Sequence, residues 1–370
     1  MPIFTAWRDE PWVNDGAAVR VSLVAFGKGG KPHIDGEEVT GIQADLSPLS
    51  GGFDLTEAKP LPENAGIAFQ GPVKVGAFDI PGDTARAWLK LPNPNGRPGA
   101  DVLRPWANGQ DLAGRPSDTW IIDFGVDMLE TDAALYEAPF AHVQEHVRPM
   151  REAGRREGRK RFWWRHGETV PALRRTMNGL SRYIATPRVA KHRFFVWLPV
   201  AVLPDSRLYA ICRDDDFTFG VLSSRLHEVW ALANASRHGV GNDPTYNAGD
   251  CFETFPFPQA SETAKAAIAE AAKKLDDMRT RWLFPAEWVD CVPEIVAGFP
   301  ERRVPKTGHE AALKARTMTN LYNAPPAWLI QHHQALDKAV AEAYGWTDFS
   351  EEMTDGEILQ RIVALNSERR

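Results

Sequence analysis

The chain has 370 residues, of which 43% are hydrophobic and 10% aromatic, so it is long and apolar enough for two or three domains with real cores. Its three cysteines, Cys212, Cys251 and Cys291, form no CxxC pair, which excludes a recognisable zinc knuckle or disulfide framework and favours reduced thiols in the cytoplasm. The first residues lack the pattern of a signal peptide, and the absence of any apolar run of about 18 residues predicts no membrane span.

Residues 1–45 predict two strands, IFTAW (3–7) and AAVRVSLVAFG (17–27), joined by a turn at DEPWVNDG. Both faces of the second strand are largely apolar, which is typical of a strand covered on both sides of its sheet. The residues that follow do not supply this cover. We therefore expect the two strands to belong to a sheet whose main body lies elsewhere.

Residues 46–258 predict a mixed, β-rich domain with inserted helices, in which segments rich in Pro, Gly and Asn separate short apolar runs. One helix is expected at 129–147, and a strand leading into a helix at 217–236. The other expected strands are 66–70, 76–80, 119–124, 194–199, 207–212 and 251–258.

Residues 259–370 predict a helical region. Apolar residues recur at helical spacing in 261–283, 327–344 and 355–366, and Gly345 stands where a left-handed C-terminal cap is expected. The fold class is therefore α+β, with a mixed β-rich domain followed by an α-helical C-terminal region. The expected domain limits are 1–45, 46–258 and 259–370.

A basic segment, residues 148–193, stands out on this acidic chain. It contains fourteen Lys or Arg residues and three Glu, a net charge of +11, whereas the whole chain carries −6 and the remaining residues −17. Such a segment is typical of a surface for a polyanion, most commonly a nucleic acid. Aromatic residues among the charges could stack on bases. The alternative is a solvated helix with its arginines on the outer face.

No complete catalytic or cofactor-binding motif accompanies the basic segment. Three sites approach a glycine-rich S-adenosylmethionine turn or an N-P-P-aromatic loop, but each lacks the required context: FGKGG (26–30), GVGND (239–243) and NAPPAW (323–328). The triplet DFG at 123–125 lacks the other kinase motifs, and the acidic run 214–216 and His332-His333 fit a turn and a helix surface better than a metal site. The residues alone thus indicate a DNA-engaging module without its own catalytic, cofactor or metal site.

Several segments together resemble, in order, the target-recognition half of the large adenine-specific DNA methyltransferases, and in particular the MmeI-like, type IIG restriction–modification enzymes. The segments are WVNDGAAVRVS, LPENAGIAFQG, LRPWANGQDL, TWIIDFGVDM, RYIATPRVAKHRFFVWLP, FGVLSSRLHEVWAL, CFETFPFP, RWLFPAEW, TNLYNAPPAWL, HHQALDKAVAEAYGW and ALNSER. This resemblance covers essentially the whole chain.

The resemblance implies a particular division of labour. A complete member has a nuclease segment and a methyltransferase domain that uses S-adenosylmethionine, followed by the target-recognition domain and a helical region. This chain corresponds to the last strands of the methyltransferase sheet and to the two parts after it, so it carries no cofactor-binding or catalytic residue and is expected to be inactive alone. Its expected partners are double-stranded DNA and an upstream methyltransferase domain or subunit.

The predicted DNA contacts fall into two groups. The first grips phosphates and stacks on bases, and consists of Arg155, Arg156, Arg159, Lys160, Arg161, Trp163, Trp164 and Arg165. The second reads bases, either from 188–193 or from the loop 237–246, and consists of Arg188, Lys191, His192, Arg193, Arg237, His238 and Asn242. In the alternative, the basic residues of the loop ATPRVAKHR (185–193) only hold phosphates.

Two further alternatives concern the function of the whole chain. It could be the specificity subunit of a split, active methyltransferase whose catalytic motifs lie on another polypeptide. It could instead be a protein-interaction scaffold that uses its helical region, with the basic segment contacting an acidic protein.

Overall fold

The protein is seen here in a computed structural model that describes residues 2–369 except 15, 43–45, 47, 49–53 and 239–242. Helices and several small sheets alternate along the chain. The predicted α+β class is therefore confirmed.

The strands of the described residues are mostly short, and the two longest open the chain. They are β1 (Ile3–Asn14), β2 (Ala17–Phe26), β3 (His33–Ile34), β4 (Glu37–Glu38), β5 (Ala68–Gln70), β6 (Asp79–Pro81), β7 (Leu103–Ala107), β8 (Thr119–Ile122), β9 (Arg182–Pro187), β10 (Val196–Pro199), β11 (Leu203–Pro204), β12 (Leu208–Ile211), β13 (Arg237–His238), β14 (Asp243–Pro244), β15 (Val289–Val292) and β16 (Arg302–Pro305).

The helices of the described residues are concentrated in the second half of the chain. They are α1 (Gly82–Lys90), α2 (Gly109–Ala113), α3 (Glu130–Ala133), α4 (Glu137–His146), α5 (Arg148–Glu152), α6 (Glu157–Arg161), α7 (Pro171–Met177), α8 (Asp216–Leu222), α9 (Arg225–Ala233), α10 (Glu262–Leu283), α11 (Glu310–Lys314), α12 (Met318–Asn323), α13 (Ala327–Ala343) and α14 (Asp355–Glu368).

Within the described ranges, the strands form three four-stranded sheets and two hairpins. The sheet orders are β2-β1-β3-β4, β10-β9-β12-β5 and β11-β7-β8-β6, and the hairpins are β13-β14 and β15-β16. Most neighbours are antiparallel; β3 on β1 and β11 on β7 are parallel.

The first sheet is built on a long antiparallel hairpin of β1 and β2. The turn predicted at residues 9–16 is wrong, because a register shift between Trp7 and Glu10 lets β1 continue to Asn14. Leu23 and Val24, which point to opposite faces of β2, are 39% and 40% exposed, so the described residues do not cover both faces of this strand. None of the described side chains between residues 2 and 42 belongs to either hydrophobic core described below.

The larger core joins the β10-β9-β12-β5 sheet to the helices of the C-terminal region. Ser261 caps α10 by accepting a hydrogen bond from the Ala264 backbone, and Ile268 and Leu275 on its apolar face are fully buried. Helix α8 packs closely on α10, since a Cβ atom at Gly220 would lie 2.6 Å from Cγ2 of Ile268. Helices α9, α13 and α14 complete this core. The helical region thus shares its core with the sheet.

The smaller core lies between the β11-β7-β8-β6 sheet and helices α1, α3 and α4. Trp120 and Ile122 of β8 face it, together with Val143 of α4. The two cores meet at β7, where Trp106 belongs to the smaller core and its neighbour Ala107 to the larger one. The guanidinium of Arg104 strengthens this junction by donating to the carbonyls of Val200 and Ala201.

Two predicted elements are wrong for identifiable reasons. Residues 217–222 form helix α8 and not a strand, because Asp215 accepts hydrogen bonds from the backbone and hydroxyl of Thr218 and so caps a helix. Residues 251–258 form no strand; Cys251 and Phe252 end a short π-helical turn at Ala248–Phe252. The predicted helices at 261–283, 327–344 and 355–366 are confirmed, and Gly345 has the expected left-handed conformation, with φ +76°.

Candidate nucleic-acid interface

The basic segment folds into several short elements, α5, α6, α7 and β9, joined by turns. This arrangement differs from the single solvated helix considered as the alternative. Because the turns change the chain direction repeatedly, its basic side chains divide into surface groups and buried groups.

The surface group lies in and around α6. Arg155, Arg156 and Arg161 are exposed and form no ion pair among the described residues. Arg159 and Lys160 are half-buried and each has one carboxylate near it: Glu168 lies 3.6 Å from Arg159, and Glu157 lies 2.8 Å from Lys160. These five cations, hereafter the α6 cluster, form a positively charged surface suited to phosphates.

Trp163 and Trp164 are not part of that surface. They are only 4% and 5% exposed and lie in the smaller core, where the Trp163 ring packs 5.2 Å from that of Phe140. The indole nitrogen of Trp164 donates to the Met128 carbonyl at 3.0 Å. The prediction that these indoles stack on bases is corrected, because burying their large apolar rings stabilises the fold and leaves no face open to a base.

Arg165 has a mixed position beside the same core. Its Nε and Nη2 atoms donate to the Met128 carbonyl at 3.1 and 2.7 Å, and its guanidinium lies 4.6 Å from the ring centre of Phe162. Burial lowers the pKa of Arg165, with Asp127 opposing that effect. Arg165 therefore fixes the turn after α6, and a part of its side chain remains at the surface.

The structure brings together the two segments that the sequence predicts to read bases. Val189 forms a β-bridge with Thr245, and the backbone of Tyr246 donates to the Arg188 carbonyl at 2.7 Å. The side chain of Arg188 is exposed. Loop 188–193 and hairpin β13-β14 therefore form one continuous edge.

Two more of the predicted residues belong to the hairpin. Arg237 and His238 form β13, which pairs with β14. The predicted contact Asn242 lies outside the described residues.

Lys191 and His192 converge on one side chain of the C-terminal region. Lys191 Nζ donates to Oδ1 of Asn323 at 2.6 Å, and Nε2 of His192 lies 2.9 Å from the same oxygen. The ring of Tyr322, the preceding residue, lies 6.0 Å from that of His192. Asn323 was missed in the sequence, where it was considered only as the first residue of an incomplete N-P-P loop.

Arg193 is buried and serves the fold. It is 6% exposed; its Nη1 donates to Thr186 Oγ1 at 2.8 Å and to the Pro187 carbonyl at 2.5 Å, and its Nη2 donates to the Pro244 carbonyl at 3.2 Å. Burial lowers the pKa of Arg193. The prediction that it reads a base is corrected, because its donors already hold β14 against the end of β9.

The acid of the DFG triplet is also structural. Asp123 is buried and receives two hydrogen bonds from the guanidinium of Arg174, at 2.7 and 3.0 Å. Burial by itself would raise the pKa of Asp123, but the nearby His166 and Arg174 outweigh burial and hold that pKa at about 2. Across the described ranges, no group of three or more His, Cys, Asp or Glu is arranged to hold a metal ion. Nor is any helix there both long and apolar enough to cross a bilayer.

The fold of the chain is similar to that of a part of a solved restriction–modification enzyme. No known protein-family model matches it. It is similar over its whole length to 46% of the type IIL restriction–modification enzyme MmeI, solved in complex with DNA, with a TM-score of 0.68 and 16% identity. It is also 26% identical over 192 residues to DNA methyltransferase A of Bacillus subtilis (strain 168).

The two comparisons confirm the predicted resemblance to MmeI-like enzymes, the first at the level of the fold. The match to DNA methyltransferase A covers 50% of this chain and 18% of that relative. The chain thus spans less than half the length of either protein.

Proposed function

We propose that this chain is the DNA target-recognition part of an S-adenosylmethionine-dependent, adenine-specific DNA methyltransferase of a restriction–modification system in the cytoplasm. The observation that carries the proposal is the division of the basic side chains at the surface into two groups. The α6 cluster suits sequence-independent phosphate contacts, and the edge formed by loop 188–193 and hairpin β13-β14 presents Arg188, Lys191 and His192. The similarity to a DNA methyltransferase and to MmeI gives the chemical context.

In this proposal the two surfaces have different tasks. Arginine binds phosphate through two parallel hydrogen bonds, so the α6 cluster orients the duplex. Arg188 and Lys191 can donate to guanine in the major groove, and His192 offers one more donor or acceptor. Discrimination between sequences then depends on the second surface, and overall affinity on the first.

Methyl transfer itself is assigned to a partner. The similarity is to parts of longer proteins, and the N-terminal hairpin exposes Trp12, Val13 and Phe26 on one long strand pair. We assign this hairpin to the edge of a methyltransferase domain or subunit, which would supply the cofactor turn and the N-P-P-aromatic loop. In the split form, this chain is the specificity subunit, and residues 46–258 and 259–370 are its recognition and helical parts.

Cofactor and DNA binding test the proposal together. Calorimetry with S-adenosylmethionine, with and without a duplex-DNA library, should show no binding of the cofactor by this chain alone. The same library should bind in a salt-sensitive manner. Clear cofactor binding would make the chain an enzyme in its own right, and failure to bind duplex DNA at low salt would favour the protein-interaction scaffold.

One structural observation weighs against that scaffold. The apolar faces of α10, α13 and α14 lie in the larger core, so they are not free for a partner. A scaffold would have to use other surfaces, of which the N-terminal hairpin is the most apolar.

A further inference from the structure

A cavity of about 480 Å³ opens beside the α6 cluster and has four arginines among its lining residues. These are Arg151, Arg156, Arg159 and Arg165. The single carboxylate on the wall is that of Glu168, at 60% side-chain exposure. The surplus of positive charge in a concave site favours a small anion.

Arg151 is the feature that distinguishes this cavity from an ordinary basic surface. Its side chain is buried, with 3% exposure, and its Nε and Nη2 atoms donate to the carbonyls of Val75, Lys74 and Arg165 at 2.9, 2.9 and 3.1 Å. Its Nη1 atom has no hydrogen-bond partner in the described chain, and no carboxylate there forms an ion pair with it. A buried cation held only by neutral groups is costly to the fold.

The electrostatics around Arg151 agree with that geometry. Burial, together with the charge of Arg159, lowers the pKa of Arg151 to about 10. An anion in the neighbouring cavity would oppose both effects. A bound anion would therefore stabilise the charged form of Arg151, which has no ion pair with a carboxylate of the described chain.

The exposed carboxylate of Glu168, at the rim of the cavity, compensates part of this positive charge. Its carboxylate lies 3.6 Å from Arg159, which is longer than a good hydrogen bond, and its backbone is fixed by pairing with Val73. Arg156, on the same wall, has no ion pair among the described residues. A phosphate group could engage Arg156 and Arg159 at once, because guanidinium forks match its oxygens bidentately.

We propose that this cavity is a phosphate-binding site that seats one phosphate group of the DNA backbone. The assignment to DNA rests on the proposed function, whereas the site for the phosphate group rests on the cavity alone. Free phosphate has the same chemistry, so the experiment separates the two sources.

Matched variants allow a sharp test of the site itself. Arg156→Ala and Arg159→Ala remove cations from the cavity wall, and the controls Lys273→Ala and Arg281→Ala remove the same charge from exposed positions on α10 that do not line the cavity. Thermal unfolding is measured in inorganic phosphate and in chloride at equal ionic strength. Phosphate should raise the melting temperature of the full chain and of both controls by several degrees, and this rise should disappear in the two cavity variants.

Glu168→Gln provides a variant with the opposite expected effect. Removing the rim carboxylate should lower the phosphate concentration needed for half of the stabilisation severalfold. An equal response of cavity variants and controls, or no response of the full chain, would overturn the site.

Competition then identifies the source of the phosphate. If the site seats a backbone phosphate, inorganic phosphate should displace duplex DNA more effectively than chloride at equal ionic strength, and Arg156→Ala should abolish that excess. Stabilisation by phosphate without such competition would overturn the assignment to DNA. If the full chain binds no duplex at low salt, the proposed function fails, and the unfolding experiment still decides whether the site exists.

Discussion

Lys191 and Asn323 are 132 residues apart in sequence and are joined by a hydrogen bond of 2.6 Å. This contact attaches the candidate DNA-reading loop to helix α12 of the C-terminal region, and His192 shares the same acceptor oxygen. The helical region therefore does more than complete a core: it fixes the direction of two side chains that could contact bases.

Asn323→Ala should reduce the preference for a recognised sequence over random duplex about tenfold, because Lys191 and His192 lose their common acceptor and sample more orientations. Binding to random duplex should change little. Fluorescence anisotropy with a sequence selected from a library and with random duplex would measure both quantities. Asn320→Ala, on the exposed side of the same helix, is the control; an equal effect of both variants would mean that the helix and not Asn323 is responsible.

Replacing Arg155, Arg156, Arg159 and Lys160 together with alanine should weaken binding to all sequences alike. If about six cations contact phosphate in the unmodified chain, its affinity should fall roughly 10³-fold between 50 and 200 mM salt, and the variant should show a much shallower dependence.

The control for this variant removes four cations from α10, namely Lys265, Lys273, Lys274 and Arg281, and so changes the net charge equally. Salt titrations of both variants against random and selected duplexes would compare them. If the α6 variant lost affinity only for the selected sequence, the α6 cluster would be the surface that reads bases, and the proposed tasks of the two surfaces would be reversed.

Local sequence was sufficient to predict the elements with strong local signals. Helix α10 combines a serine cap with an apolar stripe, and α14 has a capping box in which Thr354 and Glu357 exchange hydrogen bonds. Both helices were predicted almost to their ends. Helix α8 was not, because its residues FTFGV favour a strand locally, and the close contact between Gly220 and Ile268 that stabilises the helix spans 48 positions.

Net charge identified the basic segment as a candidate site, and several of its cations lie at the surface, but charge does not reveal which cations are buried. Arg151 and Arg193 bind backbone carbonyls that come from distant parts of the chain, and no spacing rule anticipates such contacts. The two indoles of Trp163 and Trp164 were predicted at the surface because charged residues flank them in the sequence, whereas the fold buries both.

The corrected position of Trp164 has a measurable consequence for stability. Trp164→Ala should lower the free energy of unfolding by about 3–5 kcal/mol, because it leaves a cavity in the smaller core and removes the indole hydrogen bond to the Met128 carbonyl. Phe162→Ala, two residues away and 37% exposed, should cost clearly less. Urea unfolding of both variants would test this. If the Trp164→Ala protein were as stable as the unmodified chain and yet bound DNA poorly, the indole would contact DNA and would not be a core residue.

Stability should also depend on pH through Asp337, a buried carboxyl on α13 whose Oδ1 accepts a hydrogen bond of 2.7 Å from the backbone of Arg225. Burial raises the pKa of Asp337 to about 7; the charges of Glu228 and Glu351 act in the same direction, and Arg225 opposes them. The folded chain therefore holds a proton that the unfolded chain, with an ordinary pKa of 3.8, releases. This contribution is fully present below about pH 4 and is lost as the pH rises towards 7.

Asp337→Asn should abolish this decrease in the free energy of unfolding with rising pH, because the amide cannot ionise and its oxygen can still accept the hydrogen bond from Arg225. Relative to the unmodified chain, the variant should gain roughly 2 kcal/mol of unfolding free energy between pH 5 and pH 8. Chemical denaturation at four pH values across that range would measure the difference, with the exposed Asp277→Asn on α10 as control. Parallel curves for the unmodified chain and Asp337→Asn would show that Asp337 is already ionised in the fold at pH 5, and that Arg225 and not burial sets its charge.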